Sequence, residues 1–246
     1  MTKWYVDCVS DAGDVCIAYW LRLGWRSVAL TFVSSLLFVD GKLTTRSGLS
    51  RAIAPHVDGD VLSWATNGID VQMQRRASAV SASLLGDVVR WRCELPAADG
   101  HIRVGGTTVR GRGYAEVLTL AAAPWKLPIE ELRWGRFIGE RSSAVWIDWR
   151  GAHPLTFVAS SGRRADAATV DDSRISFDGR DLTLDDPKII RDAPLRETLE
   201  EVPLLSRMMP RRLNAMQECK WRSRGTLRGE GSSDHGWSIH EVVRFA

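Results

Sequence analysis

The stretch Asp58-Gly59-Asp60-Val61-Leu62-Ser63-Trp64-Ala65-Thr66-Asn67-Gly68-Ile69-Asp70-Val71-Gln72-Met73-Gln74 sets the reading of the whole chain. Asp-Gly and Asn-Gly favour the positive backbone angles of tight hairpin turns. The segment after each turn, 61–64 or 69–74, has the two-residue alternation or β-branched content of a strand. The same punctuation recurs at Asp40-Gly41, Asp99-Gly100 and Asp178-Gly179, and strand-like segments recur at 15–23, 27–38, 88–94, 114–120 and 144–149. The best helical candidate is 195–209, where Glu197, Glu200 and Glu201 precede Arg207 and Pro203 interrupts the run. The chain therefore reads as all-β and antiparallel, with little helix.

Strands of about eight to ten residues, more of them than one small barrel needs, predict two barrels or sandwiches packed side by side. The seam is expected at residues 111–113, giving domains 1–112 and 113–246. Direct inspection shows no internal repeat, so the halves are expected to resemble each other in pattern only.

Composition narrows the function classes. The chain has 246 residues, 44% apolar and 26% charged, with 33 basic and 30 acidic side chains, which describes a folded protein with a sizeable core. A formal charge of +3 is small for that length, and no nucleic-acid partner is expected from it. Cys8, Cys16, Cys93 and Cys219 are scattered, without CxxC or zinc-type histidine spacing, and read as reduced core thiols. Residues 1–7 lack a signal-peptide pattern. The longest apolar stretch, 28–39, is interrupted by Thr31, Ser34 and Ser35, so no transmembrane segment and a cytoplasmic location are expected. GxSxG, Walker and HExxH motifs are missing, and Gly105, Gly106, Gly111 and Gly113 lack dinucleotide-site spacing. His235 and His240, five apart on a strand, face opposite ways. Neither a metal nor a cofactor is expected. Eleven tryptophans against three tyrosines instead suggest indole surfaces lining a pocket for an apolar or cationic small molecule.

The richest chemistry lies in Trp134-Gly135-Arg136-Phe137 and in Ala144-Val145-Trp146-Ile147-Asp148-Trp149-Arg150. On a strand, Trp146 and Asp148 share one face. Asp148 is then either an acid kept protonated in an aromatic pocket, or a carboxylate paired with Arg136 or Arg150. Tyr114 and Glu116 likewise share a face. Glu116 is a general acid or base hydrogen-bonded to Tyr114, or an ion-pair partner of Arg112 or Arg136. In 236–245, Trp237, Ile239, Glu241, Val243 and Phe245 alternate with His240 and Val242, so either Glu241 or His240 points inward. Terminal strands of this kind close a barrel, or bring Asp7 and His240 into a polar cluster in the pocket. The basic run Arg211, Arg212, Lys220, Arg222, Arg224 and Arg228, with Trp221 interleaved, offers a surface for nucleic acid or anionic lipid. Yet Glu218, Lys220, Arg222 and Arg224 alternate with Cys219, Trp221 and Ser223, the pattern of a solvated outer face over a buried inner one.

Trp4-Tyr5-Val6-Asp7 with Ser10-Asp11-Ala12-Gly13, Gly113-Tyr114-x-Glu116 with Trp134-Gly135-Arg136, Trp146-Ile147-Asp148 and Gly236-Trp237 together resemble the carotenoid 1,2-hydratase and AttH-like group. The resemblance implies two lipocalin-type β-barrels in tandem, and related lipocalin-like proteins include pericyclases. It also implies that Asp148 matches the proton-donating aspartate of a Tyr-x-Asp element, with Trp146 in the tyrosine's place. Where the group has an upstream His-x-Trp, this chain has Tyr114-Ala115-Glu116. The resulting expectation is a cofactor-independent acid–base enzyme for an apolar unsaturated molecule, by protonation and then hydration, isomerisation or cyclisation. Asp148, Glu116 and His240 are its catalytic candidates; Trp146, Tyr114, Trp134, Arg136, Asp7 and Trp237 are its binding candidates. A non-catalytic carrier of a hydrophobic small molecule would use the same tryptophans.

Overall fold

The computed structural model describes residues 1–25, 28–66, 68–194, 197, 216–229 and 231–245. The chain divides into two units, Met1–Lys126 and Leu127–Ala246. In the first, β1 (Thr2–Val9), β2 (Val15–Trp25), β3 (Val28–Val39) and β4 (Lys42–Leu49) form a meander. They are followed by β5 (His56–Asp58), β6 (Val61–Thr66), β7 (Ile69–Arg75), β8 (Val80–Leu84), β9 (Val89–Val104) and β10 (Thr107–Leu120). The sheet order is β4-β3-β2-β1-β10-β9-β7-β6-β5, with β8 also on β9, and every pairing is antiparallel.

After a 3₁₀ turn at Pro124–Lys126 the second unit repeats this plan. Its first four strands are β11 (Glu131–Gly139), β12 (Ser143–Arg150), β13 (Leu155–Ser160) and β14 (Arg163–Arg164). They are followed by β15 (Ala168–Val170), β16 (Arg174–Phe177), β17 (Arg180–Pro194), β18 (Gln217–Gly229) and β19 (Ser232–Arg244). The order β14-β13-β12-β11-β19-β18-β17-β16-β15 again pairs the first strand of the unit with its last. The two halves resemble each other in topology, as the sequence pattern led us to expect.

This topology forces each sheet to curl. Nine strands laid flat at about 4.8 Å spacing would hold the two edges about 38 Å apart. Yet the edge strands β4 and β5 are joined by residues 50–55, which reach at most about 25 Å, and β14 and β15 by residues 165–167, which reach about 14 Å. Each unit is therefore a half-barrel around its own core. The first core includes Val6, Cys8, Ala18, Trp64, Val71 and Ala115. The second includes Phe137, Trp146, Val158, Ile175, Leu182 and Leu227. On β1 the residues facing away from the core, Tyr5 and Asp7, are buried too, so the simple alternation of an antiparallel sheet with one wet face does not apply there. Cys8, Cys16 and Cys93 are free and buried, and Cys219 is free and half-buried. No helix among the described residues is long and apolar enough to cross a membrane.

Three expectations are corrected. Asp99-Gly100 lies inside β9, not in a turn: a Cβ on Gly100 would stand 2.7 Å from Met73 Cα, so this glycine allows β7 to approach. The seam falls after Lys126, and residues 111–113 lie within β10. Its glycines serve close packing: a Cβ on Gly111 would stand 3.0 Å from Ser10 Cα, and one on Gly113 2.7 Å from Met73 Sδ. Finally, the solvated basic face holds at Arg224 and Arg228 but fails at Lys220, which is 1% exposed. Its ammonium is neutralised by Glu241, with which it hydrogen-bonds, and by Glu218 at 3.1 Å, while Arg191 meets Glu218 at 3.3 Å. Burial raises the Glu218 pKa, but Lys220 and Arg191 outweigh it and hold the carboxyl down at about 2. The helix expected over 195–209, apart from residue 197, and Arg211 and Arg212 lie outside the described residues.

Removing the ammonium from this cluster leaves buried carboxylates short of a cation. Lys220→Met is expected to lower the unfolding free energy by about 3–5 kcal/mol in urea titration. Adding Glu241→Leu should recover much of the loss, whereas two additive losses would show that the pair is not coupled.

Candidate functional site

The second unit carries a polar spot on an aromatic wall. Register places Trp146, Gly135, His240 and Trp221 in one row across β12, β11, β19 and β18. The next row on the same face runs Ala144, Phe137, Ser238 and Ser223. Gly135 lets these side chains meet: a Cβ there would stand 2.5 Å from Trp146 Cε2 and 2.8 Å from His240 Cβ. The indole of Trp146 thus lies across the bare strand towards the histidine. On the other side, Trp221 stacks on His240 with ring centroids 5.3 Å apart and planes 20° from parallel.

His240 Nε2 and Ser223 Oγ form a hydrogen bond of 2.8 Å. Burial pushes the imidazole pKa down to about 4, so the ring is neutral at pH 7. His240 and Trp221 are half-buried, while Trp146, Ser223 and Ser238 are buried. The Ser238 hydroxyl has no hydrogen-bond partner among the described residues. The arrangement offers an apolar, π-rich surface and a basic nitrogen backed by a hydroxyl. It can hold an apolar ligand and move a proton.

Asp148 shares the face of Trp146, one step along the strand. Its carboxylate accepts from Thr156 Oγ1 at 2.6 Å and from Arg150 Nε at 3.0 Å. Arg150 also approaches Glu131 at 3.4 Å and donates to the Val170 carbonyl. Of the alternatives the sequence left open, the structure forms the Arg150 ion pair. Trp134, Arg136 and Trp237 lie on the opposite face of the sheet from Trp146. Arg136 is fully buried and donates to the Trp237 carbonyl at 2.8 Å, and Arg222 and Arg224 hold their guanidinium groups 4.7 and 4.5 Å from the Trp237 ring. Glu241 and His240 are each at least half-buried, on opposite faces of β19.

In the first unit, register sets Tyr5 opposite Glu116 and Asp7 opposite Tyr114. Glu116 Oε2 accepts from Tyr114 OH at 2.7 Å and from Trp91 Nε1 at 2.6 Å. The expected hydrogen bond with Tyr114 is formed, whereas Arg112 pairs with Asp99 instead. Tyr5 packs edge-on to Tyr114 at 6.0 Å and to Tyr19 at 5.3 Å. Burial drives the Tyr114 phenol and the Cys93 thiol well above their usual pKa values. Asp7, Tyr114, Trp91 and Glu116 are all buried, whereas His240 and Trp221 in the second unit are half-buried.

Two residues of the wall were not singled out for function from sequence, Ser223 and Ser238. Alternation does place Ser223 on the inner face with Trp221, but only the β18–β19 register shows that His240 can reach it. Asp234 was also missed. It accepts the backbone N–H groups of Glu140, Arg141 and Ser142 at 3.1, 3.1 and 2.7 Å and so pins the β11–β12 turn. Among the described residues no group of three His, Cys, Asp or Glu side chains is placed to hold a metal.

No protein-family model matches the chain, and no curated protein matches it in sequence. Solved structures match it over its length. An AttH-like protein from Nitrosomonas europaea superposes with a TM-score of 0.62 at 10% identity, covering 100% of this chain and 93% of that one. CghA, solved with Sch210972, gives 0.64 at 10% identity over 100% and 88% of the two chains. Kievitone hydratase from Nectria haematococca gives 0.55 at 8% identity over 99% and 88%. Identities this low establish the fold and leave the chemistry to the site. With its two curled antiparallel sheets in series, the chain shares the double lipocalin-like β-barrel fold of the AttH-like proteins, CghA and kievitone hydratase along its whole length.

Proposed function

We propose that the protein is a cofactor-independent acid–base enzyme for an apolar unsaturated small molecule of terpenoid or polyene type. A proton is added to an alkene, after which water adds, the double bond moves or a ring closes. One observation carries the reading: His240 stands between the indoles of Trp221 and Trp146 with Ser223 on its Nε2. The similar structures support it, since one is by name a hydratase and another was solved with a small molecule.

His240 is the proton-transfer group in this mechanism. With its pKa held at about 4, its imidazolium is as strong an acid as a carboxylic acid, although about one molecule in a thousand is protonated at pH 7. The imidazolium gives its proton to the alkene, and the indole faces stabilise the cationic carbon. The neutral imidazole then takes a proton back from water or from a neighbouring carbon. This assignment moves the donor from Asp148, whose carboxylate is engaged by Arg150 and Thr156, to His240. Asp148 orients those two side chains, and Glu116 with Tyr114 and Asp7 orders the first unit. The same Asp148 ion pair favours a second reading, a carrier in which the wall binds a hydrophobic molecule and leaves it unchanged.

The test is a mixed panel of terpenoid and polyene alkenes in deuterated water, analysed by mass spectrometry. Wild type should place carbon-bound deuterium in the product, at a rate falling about tenfold per pH unit from pH 5 to 7 as the imidazolium is depleted. His240→Asn should slow turnover at least about a hundredfold while ligand still binds. Full turnover by His240→Asn would place the donor elsewhere, and binding without conversion by wild type would make the protein a carrier.

The lowered pKa also predicts a stability change. The folded His240 pKa lies below its unfolded value of about 6.5. The imidazole's contribution is therefore complete above about pH 6.5 and is lost as pH falls towards 4. Between pH 7 and pH 4.5 wild type should lose about 1–3 kcal/mol more unfolding free energy than His240→Asn, by urea titration at each pH. Equal losses would show that the ring is not desolvated.

A further inference from the structure

The aromatic wall holds a hydroxyl that the mechanism above does not use. Ser238 is fully buried, and its Oγ has no hydrogen-bond partner among the described residues. It stands directly across from Ser223, on the same face, and two residues before His240 on β19. Ser223 Oγ is bonded to His240 Nε2 at 2.8 Å, so the imidazole side of this pair is satisfied and the Ser238 side is not. A buried hydroxyl left in that state loses its hydration without replacement, and such groups are usually met by a protein or water oxygen.

Geometry fits one bridging atom. Directly opposed residues of antiparallel strands hold their Cβ atoms about 4.5–5.5 Å apart. Each Oγ stands about 1.4 Å from its Cβ, so the side-chain rotamers can set the two hydroxyls at the span of about 4.6 Å that one oxygen hydrogen-bonded at about 2.8 Å to each would bridge. Position 225 is glycine, which lets the Phe137 ring and the Ser238 hydroxyl lie against the bare strand: a Cβ there would stand 3.0 Å from Ser238 Oγ and 2.7 Å from Phe137 Cε2.

We propose that Ser238 and Ser223 seat a water molecule beside His240, and that this water captures the cation, so that the reaction is hydration rather than isomerisation or cyclisation. The inference rests on the acid–base reading of His240. The step balances. The alkene has taken the Nε2 proton of the imidazolium, relayed through Ser223 Oγ; the water oxygen forms the new C–O bond and releases a proton to Ser223 Oγ. Ser223 passes its own proton to His240 Nε2, which restores the imidazolium, and the net change is alkene plus water to alcohol. Ser238 acts as a positioning residue by holding the water oxygen.

Crystal structures of the full chain, wild type and Ser238→Ala, test the seat without any need for turnover. The expected result is an ordered oxygen within about 3.2 Å of both serine hydroxyls in wild type that is lost or displaced in the variant. Ser238 Oγ donating to a main-chain carbonyl, with no oxygen between the serines, would overturn the inference, as would a hydroxyl of the bound alkene substrate occupying the seat. The variant removes one unpaired buried oxygen and is expected to fold. In the deuterated-water assay Ser238→Ala should lower the alcohol-to-isomer ratio at least tenfold. An unchanged ratio would overturn the inference and leave the role of His240 standing. A seated oxygen in a wild type that converts nothing would leave the water site standing and would overturn the acid–base reading and the hydration step together.

Discussion

An indole laid across a strand that has no side chain beneath it is the contact around which the second half-barrel is organised. Trp146 extends from β12 over Gly135 of β11 to the edge of His240 on β19, and Trp221 on β18 meets the same ring from the far side. Any larger residue at 135 would hold the indole away, because interiors packed to crystal-like density have no spare methyl-sized gaps. The result is an aromatic surface continuous over four strands, with a single imidazole set into it. Its low dielectric keeps that imidazole neutral, so packing and proton chemistry at this site have one cause.

The reverse face of the same strands meets a different demand. Lys220, Glu241, Glu218 and Arg191 are charged yet largely withdrawn from water, and they are tolerated because each lies against an opposite charge. The two faces together fix the register of β18 on β19. A slip of β18 by one residue would carry Lys220 into the tryptophan wall and Trp221 onto the face of Glu241, and both placements are costly. Neutral groups on one side and paired charges on the other therefore specify a single alignment more tightly than hydrophobic alternation does.

Much of the fold was legible from local chemistry. Asp40-Gly41 and Asp178-Gly179 take the positive angles that their residue types favour, and the strands beside them lie where alternation placed them. Asp99-Gly100 and the glycines at 111 and 113 misled for a shared reason: a glycine that admits a neighbouring backbone or side chain looks the same in sequence as one that turns the chain. Lys220 was read as solvated because Glu241 and Arg191, which complete the cluster around Lys220 and Glu218, sit on strands whose register no local pattern reveals. At the site, Trp146 and His240 could be named from residue type and alternation. Ser238 could not, since a serine on a strand gains meaning only from what stands opposite it. The alternative offered for Asp148, a pair with Arg150, was readable two residues away.

The pairing of each unit's first strand with its last has a consequence for how the protein is made. A chain emerging in order from its N-terminal end exposes one edge of β1 until β10 follows, and the same holds for β11 until β19 is complete. The central ladder of each half-barrel is thus among the last to close, through contacts far apart in sequence, which are slow to find. During that interval an unpaired edge is open to other strands, including its counterpart in the sibling unit of like topology. Faithful biogenesis then depends on side-chain patterns specific to each half, and the very different residues at corresponding places in the two units act as a barrier to cross-pairing during synthesis.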